Sequence, residues 1–184
     1  MGGKYLGELV AKPGPLKQAD FSWNSMRGLA VVEIASGLKT SPLVRLNLAW
    51  NGLGENGASV VGGALKENAT LQFLDVSSNR VGAVGAEALA EGLKENQTLR
   101  SLQVNGNPIG DAGAMKIIEA VGHNGSVRDL GLQDCYTFKD GVSLFDPKNP
   151  TGHYVLNLAN EYDVQAHRAA RPCGTRQPLR SMEP

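Results

Sequence analysis

Three sets of residues in this chain have the types and spacing for chemistry. Gly52, Gly54 and Gly57 spell G-x-G-x-x-G between a short apolar run and a helix-like stretch, with Asp75 further on. Glycines so placed let backbone amides cradle a pyrophosphate while an acid holds a ribose hydroxyl. Asn68-Ala69-Thr70, Asn96-Gln97-Thr98 and Asn124-Gly125-Ser126 each read N-x-S/T, the acceptor for N-glycosylation. His123, His153 and His167 lie in separate contexts, without the cysteine or carboxylate spacing that would hold zinc. No serine or cysteine sits in a nucleophile elbow, and no two carboxylates are framed as acid and base. No catalytic residue is assigned, and neither a metal nor a cofactor is expected.

The elements that must position these residues change how the first two sets read. The strings LKQADFSWN, LVRLNLAWN, LQFLDVSSN, LRSLQVNGN and VRDLGLQDC all fit L-x-x-L-x-L-x-x-N. They end at Asn24, Asn51, Asn79, Asn107 and Cys135, in steps of 27, 28, 28 and 28 residues. A fixed period of this length marks a solenoid of stacked coils, not a closed globule. Behind each string, positions 7, 10 and 14 after the ladder residue are apolar: Val31/Ile34/Leu38, Ala58/Val61/Leu65, Ala86/Leu89/Leu93 and Ala114/Ile117/Val121. Those offsets form one stripe of an α-helix. Each coil is expected to be a strand of about four residues, a loop and a helix of about three turns, with Asn68, Asn96 and Asn124 closing the helices in the left-handed conformation. The 27-residue step removes one residue within Lys39–Pro42.

On this lattice Gly54 recurs as Gly82 and Gly110, and Gly57 recurs as Gly85 and Gly113; only Gly52 is extra. The glycosylation triplets fall on the same lattice. Both therefore read as repeat positions, and a nucleotide-binding enzyme is only a remote alternative. The ladder amide turns the chain off each strand by pairing with backbone groups that would otherwise be buried and unsatisfied. Cys135 is a structural substitute in that series.

The ends differ from the middle. Gly2–Val10 align with the helix Gly57–Leu65, and KPGP replaces the usual closure. The apolar side of Tyr5, Leu6, Leu9 and Val10 then has no upstream neighbour, so either the chain is a piece of a longer protein or something docks at its N-terminal end. After Cys135 the helix pattern fails. The expected organisation is repeats over 1–135, a C-terminal cap over 136–163 with Tyr154, Leu156 and Leu158 as a last strand beside Leu130–Leu132, and a disordered tail over 164–184.

Composition narrows the partners. The chain has 18 basic and 18 acidic residues with no basic run, so the electrostatic case for nucleic acid is missing. No apolar stretch approaches the roughly 18–20 residues of a membrane helix, and MGGKYL lacks an apolar signal core. Two cysteines are too few for a disulfide framework. A cytoplasmic location is expected.

The repeat resembles the ribonuclease-inhibitor class of leucine-rich repeats over residues 2–135, by its ~28-residue length and outer α-helix. SWN, AWNGLG, the LKEN helix endings and DPKNPTGHYVLNL are further similar to leucine-rich-repeat proteins of ciliated cells and testis, which extends the expected location to the cilium or flagellum. The resemblance implies an α/β solenoid, with a short curved parallel sheet inside and helices outside, and non-catalytic protein binding through the concave strand face. It does not extend to ribonuclease binding, because this chain has only about five strands and few aromatic residues.

Alternation along the strands puts Gln18, Asp20, Ser22; Arg45, Asn47, Ala49; Phe73, Asp75, Ser77; Ser101, Gln103, Asn105; and Asp129, Gly131, Gln133 on the concave side. The row before the ladder residue is Trp23, Trp50, Ser78, Gly106, Asp134, which places the two tryptophans of the chain side by side. Trp23, Trp50 and Phe73, rimmed by Arg45, Asp20 and Asp75 with Asn47 and Gln103 beyond, are the expected partner-binding residues. The competing structural reading folds both tryptophans over their own loops to shield Met26 and Leu53. The expected function is a protein-interaction module or scaffold, with a structural part in a ciliary or flagellar axoneme as the alternative.

Overall fold

The computed structural model describes residues 2–133, 135, 138–139 and 142–143. Five three-residue strands, β1 (Gln18–Asp20), β2 (Arg45–Asn47), β3 (Phe73–Asp75), β4 (Ser101–Gln103) and β5 (Asp129–Gly131), form one parallel sheet in chain order. Five helices alternate with them: α1 (Gly2–Ala11), α2 (Leu29–Leu38), α3 (Gly54–Glu67), α4 (Ala83–Glu95) and α5 (Gly110–His123). A two-residue antiparallel pair follows, β6 (Phe138–Lys139) with β7 (Val142–Ser143). The rest of the segment expected as a cap, including Tyr154, Leu156 and Leu158, and the tail over 164–184 lie outside the described residues, as do Asp134, His153 and His167.

The register is the lattice of the sequence. Arg45 pairs with Phe73, Phe73 with Ser101 and Ser101 with Asp129, while the first step pairs Gln18 with Arg45. The shorter first step has a local cause. Asn68, Asn96 and Asn124 accept from the N–H three residues on, at Leu71, Leu99 and Val127. In the first full coil Ser41 stands at that position and its hydroxyl accepts from Leu43, two residues on. The missing residue therefore lies between Ser41 and Leu43, where a shorter side chain closes a shorter loop.

Two apolar surfaces meet to make the core. Leu46, Leu48, Leu74, Val76, Leu102 and Val104 come from the strand side, and Val31, Ile34, Leu38, Val61, Leu65, Leu89, Leu93 and Ile117 from the helix stripe; all are essentially removed from solvent. Burying a side chain of this size contributes about 1.5–3 kcal/mol. Neighbouring helices sit close because small residues face one another, with a Cβ on Gly92 meeting the Gly62 backbone of the preceding helix.

The asparagine ladder runs through the sheet exits. Asn51 Nδ2 donates to Phe21 O of the preceding coil at 2.9 Å and to Leu48 O of its own at 3.0 Å, while its Oδ1 accepts from Asn24 N and Met26 N. Asn79 and Asn107, both fully buried, repeat the pattern toward Leu48 O and Val76 O. Cys135 Sγ takes the corresponding place toward Val104 O at 3.5 Å. Asn24 differs: it is exposed and its side-chain amide donates within its own coil, to Phe21 O and Ser22 O.

Asn68, Asn96 and Asn124 correct one expectation. They are not left-handed helix closures; their backbones are extended, with φ near −77°, −76° and −80°. They form a second ladder instead, on the helix-to-strand side. Asn96 Nδ2 donates to Leu65 O and Asn68 O, and Asn124 Nδ2 to Leu93 O and Asn96 O. Each Oδ1 also accepts from the residue two positions on, at Thr70, Thr98 and Ser126. That explains the recurring N-x-S/T triplet as a turn device, with amide nitrogens engaged in backbone hydrogen bonds.

Candidate functional site

Each strand exit passes through the left-handed region one residue before the ladder. Trp23, Trp50, Ser78 and Gly106 have φ of 59°, 56°, 54° and 64°. The turn is set by backbone pairing, since Trp23 N donates to Ala49 O at 3.0 Å and Trp50 N to Ser77 O at 2.9 Å. Adjacent strands lie about 4.8 Å apart, close to the spacing of stacked rings. The two indoles accordingly stack, with centroids 4.2 Å apart and planes 9° from parallel.

Trp23 keeps 70% of its surface exposed and Trp50 50%, whereas Met26 and Leu53 are buried. Much of the rings' area is therefore open to solvent. The energetics point the same way. A left-handed backbone costs a non-glycine residue about 1–2 kcal/mol, and an aromatic stack returns about 0.5–1.5 kcal/mol beyond its area. Two strained tryptophans cost more than one stack restores, and Gly106 marks what the turn itself prefers. Strain retained at exposed positions is a pointer to function.

The rest of the face follows from the strands. The Arg45 guanidinium lies over the Phe73 ring, 4.2 Å from its centroid. Asp20 Oδ1, Asn47 Oδ1 and Asp75 Oδ1 each accept the N–H two residues on, at Ser22, Ala49 and Ser77. Asn47 Nδ2 also donates to Asp20 Oδ2 at 3.1 Å. Hydrogen bonding from Ser22, hydroxyl first and then backbone N–H, and from Asn47 holds the Asp20 carboxyl below its usual range against a small opposing effect of burial. Arg45, Phe73, Asp20, Asn47 and Asp75 line a trough of ≈ 430 Å³ across β1–β4, with Gln103 at its far end.

The structure brings Trp23 against Trp50, Arg45 against Phe73, and Asp20 against Asn47, with Asp75 beside Asn47 in register. Gln103 stands apart at the far end. It donates to Asp129 Oδ2 at 2.9 Å and accepts from Asn105 Nδ2 at 3.1 Å. Three positions expected on the open face are buried: Ala49, Ser77 and Ser101. The strand has ended before Ala49 and Ser77, and the chain there already curls toward the ladder; Ser101 lies under Asp129, to which it donates at 2.7 Å. The sequence reading also missed the left-handed backbone at the tryptophans; the glycine at the equivalent position 106 was the available signal.

The glycine motif has other work. Gly52 N donates to Met26 O, Gly54 N to Asn79 O and Gly57 N to Leu53 O, so the amides that would cradle a phosphate are already engaged. Asp75 is bound to its own turn, and the Glu55 carboxylate accepts from Gly85 N at the start of the next helix. Among the described residues, no group of three His, Cys, Asp or Glu is arranged to hold a metal ion, and no helix is long and apolar enough to cross a membrane.

The family model described as Leucine Rich repeat matches residues 41–62, 67–90 and 95–117. No curated protein matches the sequence. Among solved structures, the chain is similar to "Leiomodin-1 Actin-Binding Site 2 (ABS2)", with a TM-score of 0.62 and 20% identity over 68% of this chain and 75% of that one. It is also similar to the tropomodulin C-terminal domain of Caenorhabditis elegans, with a TM-score of 0.59 and 17% identity over 68% of this chain and 78% of that one. At such identities the likeness is one of fold.

Proposed function

We propose that this leucine-rich-repeat solenoid is a protein-binding module whose partner docks on the concave face of its first three strands. The observation that carries the reading is the exposed Trp23–Trp50 stack, held in left-handed backbone at the strand exits. Tryptophan is enriched at binding hot spots because a large rigid area is buried with little loss of side-chain freedom. Arg45 on Phe73 extends the aromatic surface, and Asp20, Asn47 and Asp75 supply polar groups between the two pairs. The solved structure titled as an actin-binding site of leiomodin-1 supports the reading in kind, since a stack of this shape there carries a protein site.

Affinity capture from ciliated and non-ciliated cell lysates tests it, with wild type beside a Trp23→Ala/Trp50→Ala variant matched for folding by circular dichroism. A partner held by wild type and lost by the variant is the expected result. Identical captures by both would move the site off these aromatics, to the helices or solenoid ends, as expected of an axonemal component.

A further inference from the structure

Charge is handled differently on the two sides of the solenoid. The ion pairs among the described residues, such as Lys39–Glu67 at 2.6 Å and Lys66–Glu95 at 2.8 Å, all join helices or helix ends. Among the described residues, the concave-face carboxylates are in none of these ion pairs. Asp129 is filled by Ser101 and Gln103. Asp20 and Asp75 lie one on each side of Asn47 in a single row. Asn47 gives its amide to Asp20, and among the described residues no donor is bonded to Asp75 Oδ2. Among the described residues of the face, the cation is Arg45, stacked on Phe73 and outside the ion pairs.

We propose that the occupant of this face is an extended basic peptide segment. One of its Arg or Lys side chains sits between Asp20 and Asp75, and the adjoining part of the segment lies on the Trp23–Trp50 stack. The inference rests on the binding reading above and adds the chemistry of the partner. Asp20 and Asp75 flank Asn47 on adjacent strands about 4.8 Å apart, so both carboxylates attract a guanidinium or ammonium placed over Asn47. The tryptophans follow three residues on, past the strand ends, at most roughly 10 Å from that row, which a few extended residues of a partner span. Both ends select the same sign, since carboxylates attract cations and so do the faces of indole rings. Arg45 lines the trough on the strand-entry side, where it disfavours a further cation.

The chain has two tryptophans, and both are in the stack, so their fluorescence reports this site alone. The probe is an octapeptide of alternating Gly and Arg, with alternating Gly and Glu as its opposite. The basic peptide is expected to give a saturable blue shift, weakened by roughly tenfold in Asp20→Asn/Asp75→Asn, a variant that leaves the ring stack in place. Salt should weaken it further. The inference is overturned if the acidic peptide binds as well or better, if neither peptide gives a saturable change, or if the Asn variant binds like wild type. The two proposals fail separately. A lysate partner lost on Trp23→Ala/Trp50→Ala but indifferent to Asp20→Asn/Asp75→Asn would leave the binding reading standing and remove the basic segment. One indifferent to the tryptophans would remove the reading itself.

Discussion

Strands β1–β3 and strands β4–β5 share one backbone plan and one ladder, yet their concave faces behave oppositely. Over β4–β5 the side chains satisfy one another: Ser101 and Gln103 both donate to Asp129, Asn105 donates to Gln103, and Gln133 N donates to Asn105 Oδ1. Over β1–β3 two indoles stand in solvent, a guanidinium lies on a phenyl ring, and Asp75 keeps an oxygen open. In a solenoid the ladder and the apolar stripes set the shape, so the outward residues are free to vary. Where they bond to each other they have little left to recognise. Where they do not, unspent aromatic area and unpaired charge are available to a partner.

The comparison breaks most decisively in binding. Trp23→Ala with Trp50→Ala should weaken the partner by at least about 2 kcal/mol, whereas Gln103→Ala with Asn105→Ala should change affinity by less than about 0.5 kcal/mol. Isothermal titration with both variants reads the contrast directly, and equal losses would erase the distinction between the two halves.

Stability should show a different division, because the ladder crosses both halves. Asn79→Ala strands the buried Leu53 N–H and removes one of the two amide donors to Leu48 O, and should cost about 1–3 kcal/mol in urea unfolding. Asn24→Ala, where the exposed side chain bonds within its own coil, should cost less than about 1 kcal/mol. Neither change should alter affinity once the folded fraction is matched.

A smaller effect separates strain from contact. Trp50→Gly relieves a left-handed backbone worth about 1–2 kcal/mol and loses a stack worth about 0.5–1.5 kcal/mol. Its net stability should stay within about 1 kcal/mol of wild type while binding falls. A large loss of stability would mean that the indole serves the fold after all.

The smallest effect concerns acid. Hydrogen bonds from Ser22 and Asn47 lower the Asp20 pKa in the folded protein. Its contribution to stability is therefore present above the unfolded value of about 3.9 and lost as pH falls through the folded one. Asp20→Asn should slightly flatten the stability–pH curve between those two values, a change measurable as the shift in unfolding midpoint between neutral and acidic buffer.

Much of this was legible in the chain. The ladder residues, the helix stripe and the strand register all follow from the period, because burial is periodic and each position has one environment repeated. Trp23 and Trp50 could be paired for the same reason. The departures came from chemistry that periodicity does not carry. Asn68, Asn96 and Asn124 are amides that pair with the neighbouring coil, and the pattern alone does not distinguish that from a left-handed cap. Ala49 and Ser77 alternate like exposed residues, but the strand ends before them. Gln103 fits the open row, and only its bonds to Asp129 and Asn105 show it engaged.

The most direct test is the pair of indole ¹⁵N–¹H resonances of the labelled protein, followed as a captured partner is added. The account predicts that both tryptophan signals shift or broaden together at substoichiometric partner, while the side-chain amides of Gln103 and Asn105 stay in place. Unmoved indoles with displaced Gln103 and Asn105 amides would contradict it and place recognition on the other half of the face.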